Sequence, residues 1–445
     1  MDRIVTKTMA EIYIQQGHLQ EACDVFKALL ERDPSDIEIK ERLKELSEKL
    51  GPSSPLIDQP SHSMNEKVRI LKGWLANIRK REKKVMENSF YEIRQGSVRK
   101  VMDSHQLDGI LFNSLENIRY LCGFTGSDGA VILTQKESYF LTDSRYWTQA
   151  EAEVKGSQVI HYKKKMEGIA SLLLDLKLKN IGFESAFLTF SLHRFLLDKF
   201  ANKADLIPLE EEIKNLRASK DAEELASIRH AIDISSKAFE YILGRVKEGV
   251  LEREIALEME FFMKHNGAQG IAFDIIVASG KRSALPHGRA SLKQIEKDDF
   301  ILIDFGSRFQ GYHSDETCTF VLGKPTSEQK KIYQIVKEAH DKAIEVIRPG
   351  VPIHEVDAAA RDHIRACGYD EYFGHGTGHG IGLAVHEEPV IHRENKGLLQ
   401  EGMIFTVEPG IYIPDWGGVR IEDMVRVTSQ GAEVLTFLSK EMKVI

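Results

Sequence analysis

The feature that most constrains the fold of this chain is a set of acidic residues at the end of, or within, short apolar, strand-like runs. Asp304 ends the run FILID, Glu408 follows the run IFTV, and Glu422 lies within VRIEDMV. Burying a carboxylate among apolar residues is costly unless it is paired or binds a metal ion. The fold must therefore bring these side chains to a common partner.

A fourth acidic residue, Asp315, follows Asp304 by 11 residues and comes directly before the run ETCTF. This spacing suits two antiparallel strands joined by a hairpin, which would let both carboxylates reach one point. On this segment alone, a pair of turn or cap aspartates is the better explanation. The segments that follow make a shared site the better explanation.

Histidines are concentrated near these acidic residues. His375, His379 and His386 lie among five glycines in YFGHGTGHGIGLAVHE, and nine of the 16 histidines fall between positions 287 and 392. Such glycine density allows the backbone to approach a ligand closely and is unsuited to a hydrophobic core. Three of the nine lie on predicted helices and are expected at the surface: His340, His354 and His363.

The combination of four carboxylates and one imidazole is the donor set that two hard divalent cations favour. Four negative charges also balance two divalent ions, which could then share and activate one water. The residues of the predicted dinuclear site are Asp304, Asp315, His379, Glu408 and Glu422.

Bulk composition excludes several other classes of protein. A net charge of -8 over 445 residues indicates no nucleic-acid partner. No apolar run reaches about 18 residues and the start lacks a signal-peptide pattern, so we expect a cytoplasmic protein without a membrane partner. The four cysteines are far apart and are expected to be reduced thiols.

The amino-terminal fifth differs in pattern from the rest of the chain. Residues 1–50 are predicted to be helical, with a break at Asp33-Pro34-Ser35. Five positions match the spacing of one tetratricopeptide repeat, which the segment resembles: Tyr13, Gly17, Ala22, Phe26 and Pro34. A single repeat cannot bury its own apolar face, so a protein partner for it is possible. Residues 51–88 are predicted to be a linker followed by a basic helix.

Two larger regions follow. Residues 89–215 alternate short apolar runs (GILF, AVILT, IGFE) with amphipathic stretches, which is typical of an α/β domain. Residues 216–445 mix helices and strands without a regular βαβ rhythm. An α+β fold therefore fits this region better than a doubly wound sheet.

Five motifs in this last region carry a family resemblance. LIDFG, YHSDET, HGTGHGIGLAVHE, TVEPGIYIP and VRIED resemble, in order, the ligand motifs of metallopeptidase family M24, which has the creatinase or pita-bread fold. Upstream, NIRYLCGFTGSDG and FLTDSRYWTQA resemble the amino-terminal domain of the Xaa-Pro aminopeptidase and prolidase branch. The resemblance covers roughly residues 90–445. It implies a pita-bread catalytic domain after a smaller α/β creatinase-type domain and the helical extension.

The resemblance also implies roles for the metal-binding residues. Asp315 and Glu422 would bridge both ions, and Asp304 would bind one of them. His379 and Glu408 would complete the shell of the other ion, and Glu408 would serve as general base. Manganese is the implied metal, with cobalt, zinc and iron as alternatives.

Four further residues match positions around the substrate. His287 and His386 would hold the substrate and stabilise the tetrahedral intermediate, and His375 would line the pocket. Arg420 would orient a metal-binding carboxylate. The family commonly has an arginine where this chain has Cys318, which we expect to be a buried, inert thiol with an effect on packing or selectivity.

The activity implied by the resemblance is that of an Xaa-Pro aminopeptidase, in which a hydroxide held between the metals attacks the first carbonyl of a proline-containing peptide. The alternative is an Xaa-Pro dipeptidase, or prolidase. An alternative of another class is an inactive, metal-free binding protein with the same fold, although all five ligands are present here. The family likeness also implies a homodimer.

Overall fold

The computed structural model of the protein describes residues 7–15, 18–50 and 90–445. The predicted linker and basic helix of residues 51–88 lie outside the described residues, as does Gly17. The chain divides into two compact units, Met1–Arg81 and Glu82–Ile445, and each is described by itself.

The described residues of the first unit form three helices, where the sequence predicts a helical segment with one break. They are α1 (Lys7–Gln15), α2 (Leu19–Arg32) and α3 (Ile37–Leu50). The predicted break lies between α2 and α3, where the Asp33 carboxylate accepts a hydrogen bond from the Ser35 backbone. A small apolar core joins the helices: Ala10, Ala22, Cys23, Phe26, Ile39 and Leu46. The likeness to a tetratricopeptide repeat stays a prediction.

The first described element of the second unit is a helix, α4, over residues 90–104. Six strands follow: β1 (Gly109–Phe112), β2 (Ala130–Thr134), β3 (Ser138–Thr142), β4 (Gln158–His161), β5 (Asn180–Glu184) and β6 (Asp205–Leu209). Five helices accompany them: α5 (Leu115–Cys122), α6 (Trp147–Glu153), α7 (Lys165–Asp175), α8 (Phe190–Phe200) and α9 (Glu211–Lys214).

These strands form one mixed sheet in the order β4-β3-β2-β1-β5-β6. Strand β1 is buried along its whole length, as its apolar sequence GILF predicts. Successive side chains of a strand point to opposite faces. Ile110 and Phe112 accordingly join one hydrophobic cluster and Leu111 joins another. Both faces of the sheet are therefore covered, which is typical of an α/β layer.

The rest of the second unit contains four long helices and fourteen strands among the described residues. The helices are α10 (Ala222–Leu243), α11 (Glu252–His265), α12 (Ser327–Glu345) and α13 (Ile353–Ala366). The strands are β7 (Gly270–Ile271), β8 (Ile276–Ser279), β9 (Phe300–Phe305), β10 (Ser307–Phe309), β11 (Tyr312–His313), β12 (Glu316–Val321), β13 (Gly378–Gly380), β14 (Glu387–Ile391), β15 (Ile404–Val407), β16 (Gly410–Ile413), β17 (Gly417–Arg420), β18 (Asp423–Thr428), β19 (Gly431–Val434) and β20 (Lys443–Val444).

Two sheets of this region bear on the site. Strands β20-β12-β9-β8 form one and β14-β13-β15-β18-β19 the other. Apolar residues of α10 and α11 pack on the first, and those of α12 and α13 pack on strands of the second. Helices and largely antiparallel sheets alternate without βαβ units, so the expected α+β fold is confirmed. In the described part of the chain, no helix is long and apolar enough to cross a membrane.

Alternation along β9 decides where its carboxylate points. Ile301, Ile303 and Phe305 belong to the core beneath α10 and α11. Asp304, which lies between the last two, therefore projects from the opposite face. In β12, Cys318 and Phe320 join the same core, so the side chains before and after Cys318 share the face of Asp304. Asp304 and Thr317 thus lie on the face of the two strands that points away from this core.

Candidate metal centre

The structure places the four predicted metal-binding carboxylates near the ends of neighbouring strands. Asp304 is the fifth residue of β9, Asp315 comes directly before β12, and the two strands pair antiparallel as expected. The short strands β10 and β11 lie in the connection between them. Of the other two carboxylates, Glu408 directly follows β15 and Glu422 directly precedes β18.

One expectation about these strands is wrong. The sequence VRIEDMVRV suggests a single strand with Glu422 inside it, but the chain leaves β17 at Arg420 and enters β18 at Asp423. The two strands belong to different sheets. Continuous apolar character conceals this break, because both strands are buried and turn chemistry is absent between them.

His379, which lies in the middle of β13, is close to two of the carboxylates. Its Nε2 atom is 3.3 Å from Oε1 of Glu408 and 3.6 Å from Oδ2 of Asp315. One ligand atom each from Asp315, His379 and Glu422 lie within 4.8 Å of one another. This group is compact enough for its atoms to share one ion.

Asp304 is the remaining carboxylate of the acidic group. Its Oδ2 atom accepts a hydrogen bond of 2.6 Å from Nη2 of Arg420. Its Oδ1 atom is buried and has no hydrogen-bond partner among the described residues. A buried carboxylate oxygen without a donor is costly. A cation at this position would satisfy it, so the residues present fit a metal site.

The electrostatics of the group support the same conclusion. Burial, followed by the charges of neighbouring carboxylates, raises the pKa of Asp315 and of Glu422 well above the ordinary range. Burial also raises the pKa of Glu408. Without bound cations, the site therefore holds more negative charge than its surroundings compensate, and divalent metal ions would relieve this excess.

Arg420 connects several parts of the site. Besides Asp304, its guanidinium donates to Thr317 Oγ1 (3.0 Å), to the Tyr412 hydroxyl (3.0 Å) and to the carbonyl of Pro286 (3.1 Å). Thr317 in turn donates to Glu422 Oε2 at 2.6 Å. Sequence reasoning missed Thr317 and Tyr412. Their positions within the quoted motifs were the available signal, because neither residue type is itself a distinctive metal ligand.

A glycine and a threonine set the position of His379. An added Cβ at Gly378 would lie 1.8 Å from the carbonyl oxygen of Thr406, so only glycine permits this approach of β13 to β15. Thr406 Oγ1 accepts from the backbone N–H of His379 at 3.0 Å and donates to Glu408 Oε1 at 3.1 Å. The glycines were expected to admit a ligand; at Gly378 the close approach is to a neighbouring strand instead.

The other three histidines surround the same cleft. His375 Nε2 lies 3.0 Å from the Tyr412 hydroxyl, and the ring of His386 lies 4.2 Å from that of His379, centre to centre. Burial lowers the pKa of His375 and, with the nearby His379, that of His386. His287 is exposed at the cleft wall. The cleft, with a volume of about 590 Å³, is bordered by all nine predicted site residues.

A second cavity of about 340 Å³ adjoins this cleft and shares His379, His386 and Val390 with it. Its opposite wall comes from the amino-terminal sheet layer and includes Asn117 and Phe187. The layer is tied to this side of the site, since Arg217 binds Glu387 at 3.0 Å and also contacts Asn117.

Two residues outside the cleft need comment. His340, expected at the surface, is buried instead, and its Nε2 lies 3.1 Å from Oδ2 of Asp423. The helical pattern could not show that α12 turns this histidine inward. Cys318 is a buried free thiol, as expected, on the face of β12 that packs into the core beneath α10 and α11. Burial raises its pKa to about 12, so it stays protonated.

Comparison with known proteins agrees with this architecture. Residues 226–429 match the model of metallopeptidase family M24, and residues 94–219 match the creatinase/prolidase amino-terminal domain. The chain is 40% identical over 354 residues to an Xaa-Pro dipeptidase of Pyrococcus horikoshii, covering 79% of this chain and 99% of that protein.

Solved structures give the same result. An Xaa-Pro dipeptidase from Bacillus anthracis superposes with a TM-score of 0.77 at 42% identity, covering 80% of this chain and all (100%) of the other. An X-Pro aminopeptidase from Thermotoga maritima has a TM-score of 0.71 at 40% identity, covering 76% of this chain and 98% of the other.

The chain therefore belongs to metallopeptidase family M24 and is a metallo-exopeptidase. The expected creatinase-type amino-terminal domain and pita-bread catalytic fold are confirmed.

Proposed function

We propose that this metallo-exopeptidase is an Xaa-Pro dipeptidase, which hydrolyses the bond between the two residues of a dipeptide ending in proline. The observation that carries the proposal is the convergence of four carboxylates and His379 on one cleft, in a chain that aligns with 99% of the length of an Xaa-Pro dipeptidase. Sequence motifs alone favoured the aminopeptidase; the relatives favour the prolidase alternative instead.

Phe187 and Asn117 of the amino-terminal sheet layer border the cavity next to His386, where they would bear on the length of peptide that the site accepts. The aminopeptidase stays the second candidate, because a structurally similar protein bears that name.

The metal-binding roles are part of the same proposal. Asp315, His379 and Glu422 would share an ion, with Glu408 beside them, and Asp304 would bind the other ion through its unpartnered oxygen. The chemistry that two bound divalent cations supply is activation of a water and stabilisation of negative charge on the attacked carbonyl. Manganese is proposed as the metal, and cobalt, zinc or iron would suit the same oxygen-rich donors.

The protein's own groups would move the proton and position the substrate. Glu408 would accept the proton of the attacking water. His386 and His287 lie on the cleft wall, where their N–H groups would donate to the carbonyl oxygen as charge develops. His375 is oriented by Tyr412, and Arg420 holds Asp304 in place.

The test compares an Xaa-Pro dipeptide with the corresponding Xaa-Pro-Yaa tripeptide, using manganese-loaded protein. We expect cleavage of the dipeptide and at most slow cleavage of the tripeptide. Efficient cleavage of the tripeptide would make the enzyme an aminopeptidase. Absence of any cleavage, with no metal bound, would support the binding-protein alternative.

We also propose four segments for the chain: residues 1–50 as a helical extension, 51–88 as a linker and basic helix, 89–215 as the amino-terminal domain, and 216–445 as the catalytic domain. The family matches at residues 94–219 and 226–429 support the last boundary. Limited proteolysis with mass spectrometry would test the division.

A further inference from the structure

A dipeptidase must recognise the free carboxylate of its substrate, and this inference rests on that proposed function. Burying a carboxylate without a partner is costly, whereas an arginine can bind it through two parallel hydrogen bonds. Two arginines border the cleft among the described residues, Arg289 and Arg420. They differ in how far their guanidinium groups are already engaged.

Arg420 is fully committed within the site. Its side chain is 4% exposed and donates to Asp304, Thr317, Tyr412 and the Pro286 carbonyl. A substrate carboxylate could engage it only by breaking contacts that hold the acidic residues. It therefore has no capacity for a second anion.

Arg289 has the opposite character. Its side chain is 82% exposed, and its ion pair with Asp274 is 3.5 Å long and open to solvent. Such exposed pairs contribute little to stability, so a substrate carboxylate can replace Asp274 at low cost. Arg289 thus offers a cation that is permanently charged and available.

The backbone of Arg289 is nevertheless held in a defined place. Its carbonyl accepts a 2.7 Å hydrogen bond from Arg282, whose Nε donates to the buried Glu252 at 3.0 Å. The residue also forms an isolated bridge with Ile276, another residue of the cleft. The loop that carries it includes His287 and is tied to the metal centre through the Pro286 carbonyl and Arg420.

Apolar groups border the cleft beside this arginine. Phe273, Ile276 and Pro286 contribute to the same wall. The proline of an Xaa-Pro dipeptide has an apolar ring with the carboxylate attached directly to it. An apolar wall next to a solvent-exposed guanidinium matches that combination, with the ring against Phe273 and Ile276 and the carboxylate at Arg289.

We propose that Arg289 binds the carboxylate of the substrate's terminal proline and thereby selects dipeptides over longer or blocked peptides. The adjoining cavity offers a rival cation, Lys214, which is already paired with Glu211. Arg217 in that cavity is bound to Glu387. The open guanidinium of Arg289 favours it over both.

The test uses the metal-loaded full chain with two substrates, an Xaa-Pro dipeptide and the same dipeptide with a carboxyl-terminal amide. For Arg289→Ala, we expect kcat/KM on the free acid to fall about 10- to 100-fold, mainly through KM, because a charge-assisted contact is lost. Activity on the amide should change less than about threefold, since the amide carries no charge for the arginine to bind. The kcat/KM of Arg289→Lys on the free acid should lie between those of wild type and Arg289→Ala, because lysine retains the charge without the bidentate geometry.

Two further variants make the result decisive. Lys281→Ala removes an exposed cation that does not border the cleft and should leave both activities unchanged. Lys214→Ala tests the rival; loss of acid selectivity there, with Arg289→Ala unaffected, overturns the proposal. Equal losses on acid and amide in Arg289→Ala would also overturn it. A wild-type protein that cleaves neither substrate would instead refute the proposed function.

Discussion

Two groups of buried carboxylates in this protein differ in how their charge is compensated. Glu252, at the start of α11, is completely buried and accepts hydrogen bonds from the backbone and hydroxyl groups of Ser279 and Ser291 and from Arg282. In the metal centre, Glu422 accepts one hydrogen bond among the described residues, from Thr317. In the described part of the chain, Glu252 thus has five hydrogen-bond donors and Glu422 has one. Burial and neighbouring acids raise the pKa of Glu422.

The difference shows that burial of a carboxylate does not by itself indicate a metal site. A buried acid with a full set of donors is a structural element, and removing it leaves those donors unpaired. Buried acids that face one another without enough donors need a cation from solution. The two groups should therefore respond to mutation in opposite ways.

The largest effect is expected for Glu408→Ala. Loss of the proposed base should lower kcat/KM for an Xaa-Pro dipeptide by at least about 1000-fold. Activity assays at saturating manganese would measure this, with circular dichroism to verify folding. Activity within about tenfold of wild type would show that Glu408 is not the base.

The second-largest effect is expected for Arg420→Lys, which tests the difference between metal ligands and the residues that position them. Lysine keeps the charge but cannot maintain the contacts to Asp304, Thr317 and Tyr412 together. We expect metal affinity to fall about 10- to 100-fold. Isothermal titration with manganese would measure it; an unchanged affinity would contradict the positioning role.

Glu252→Gln should have the opposite profile. We expect the free energy of unfolding to fall by about 2 kcal/mol, because charge-assisted hydrogen bonds are weakened in a buried site. Chemical denaturation would measure the change. Metal content should remain that of the wild type; a loss of metal would mean that the two groups are not independent.

The smallest effect is expected for the pH dependence of the stability of the metal-free protein. Because the pKa of Glu422 is raised in the folded state, its ionisation destabilises the metal-free fold increasingly as pH rises above its ordinary value of 4.5. Glu422→Gln mimics the protonated acid. In the presence of a chelator, the variant should therefore equal wild type near pH 4.5 and exceed it in stability near pH 8.

Thermal unfolding at the two pH values, with and without chelator, would test this. Adding manganese should reverse the order, because wild type binds the metal and is stabilised by it. A wild type that is more stable than Glu422→Gln at pH 8 without metal would contradict the idea that the group is uncompensated.

The sequence predicted much of the fold because its signals are local. The apolar run of β1, the break between α2 and α3, and the antiparallel relation of Asp304 to Asp315 all follow from patterns within a few residues. The errors arose where local pattern is silent. The change of sheet at Glu422 and the inward turn of His340 depend on packing against distant elements.

What the sequence alone determined was the family, since five motifs in order identify it, and with the family a set of predicted metal ligands. Only the tertiary structure decided which carboxylates are compensated. Glu252 resembles an exposed residue at a helix start, yet it is buried with a full set of donors. Asp304 and Arg420 meet across 116 residues of chain. Compensation depends on which groups folding brings together, and no local pattern records that.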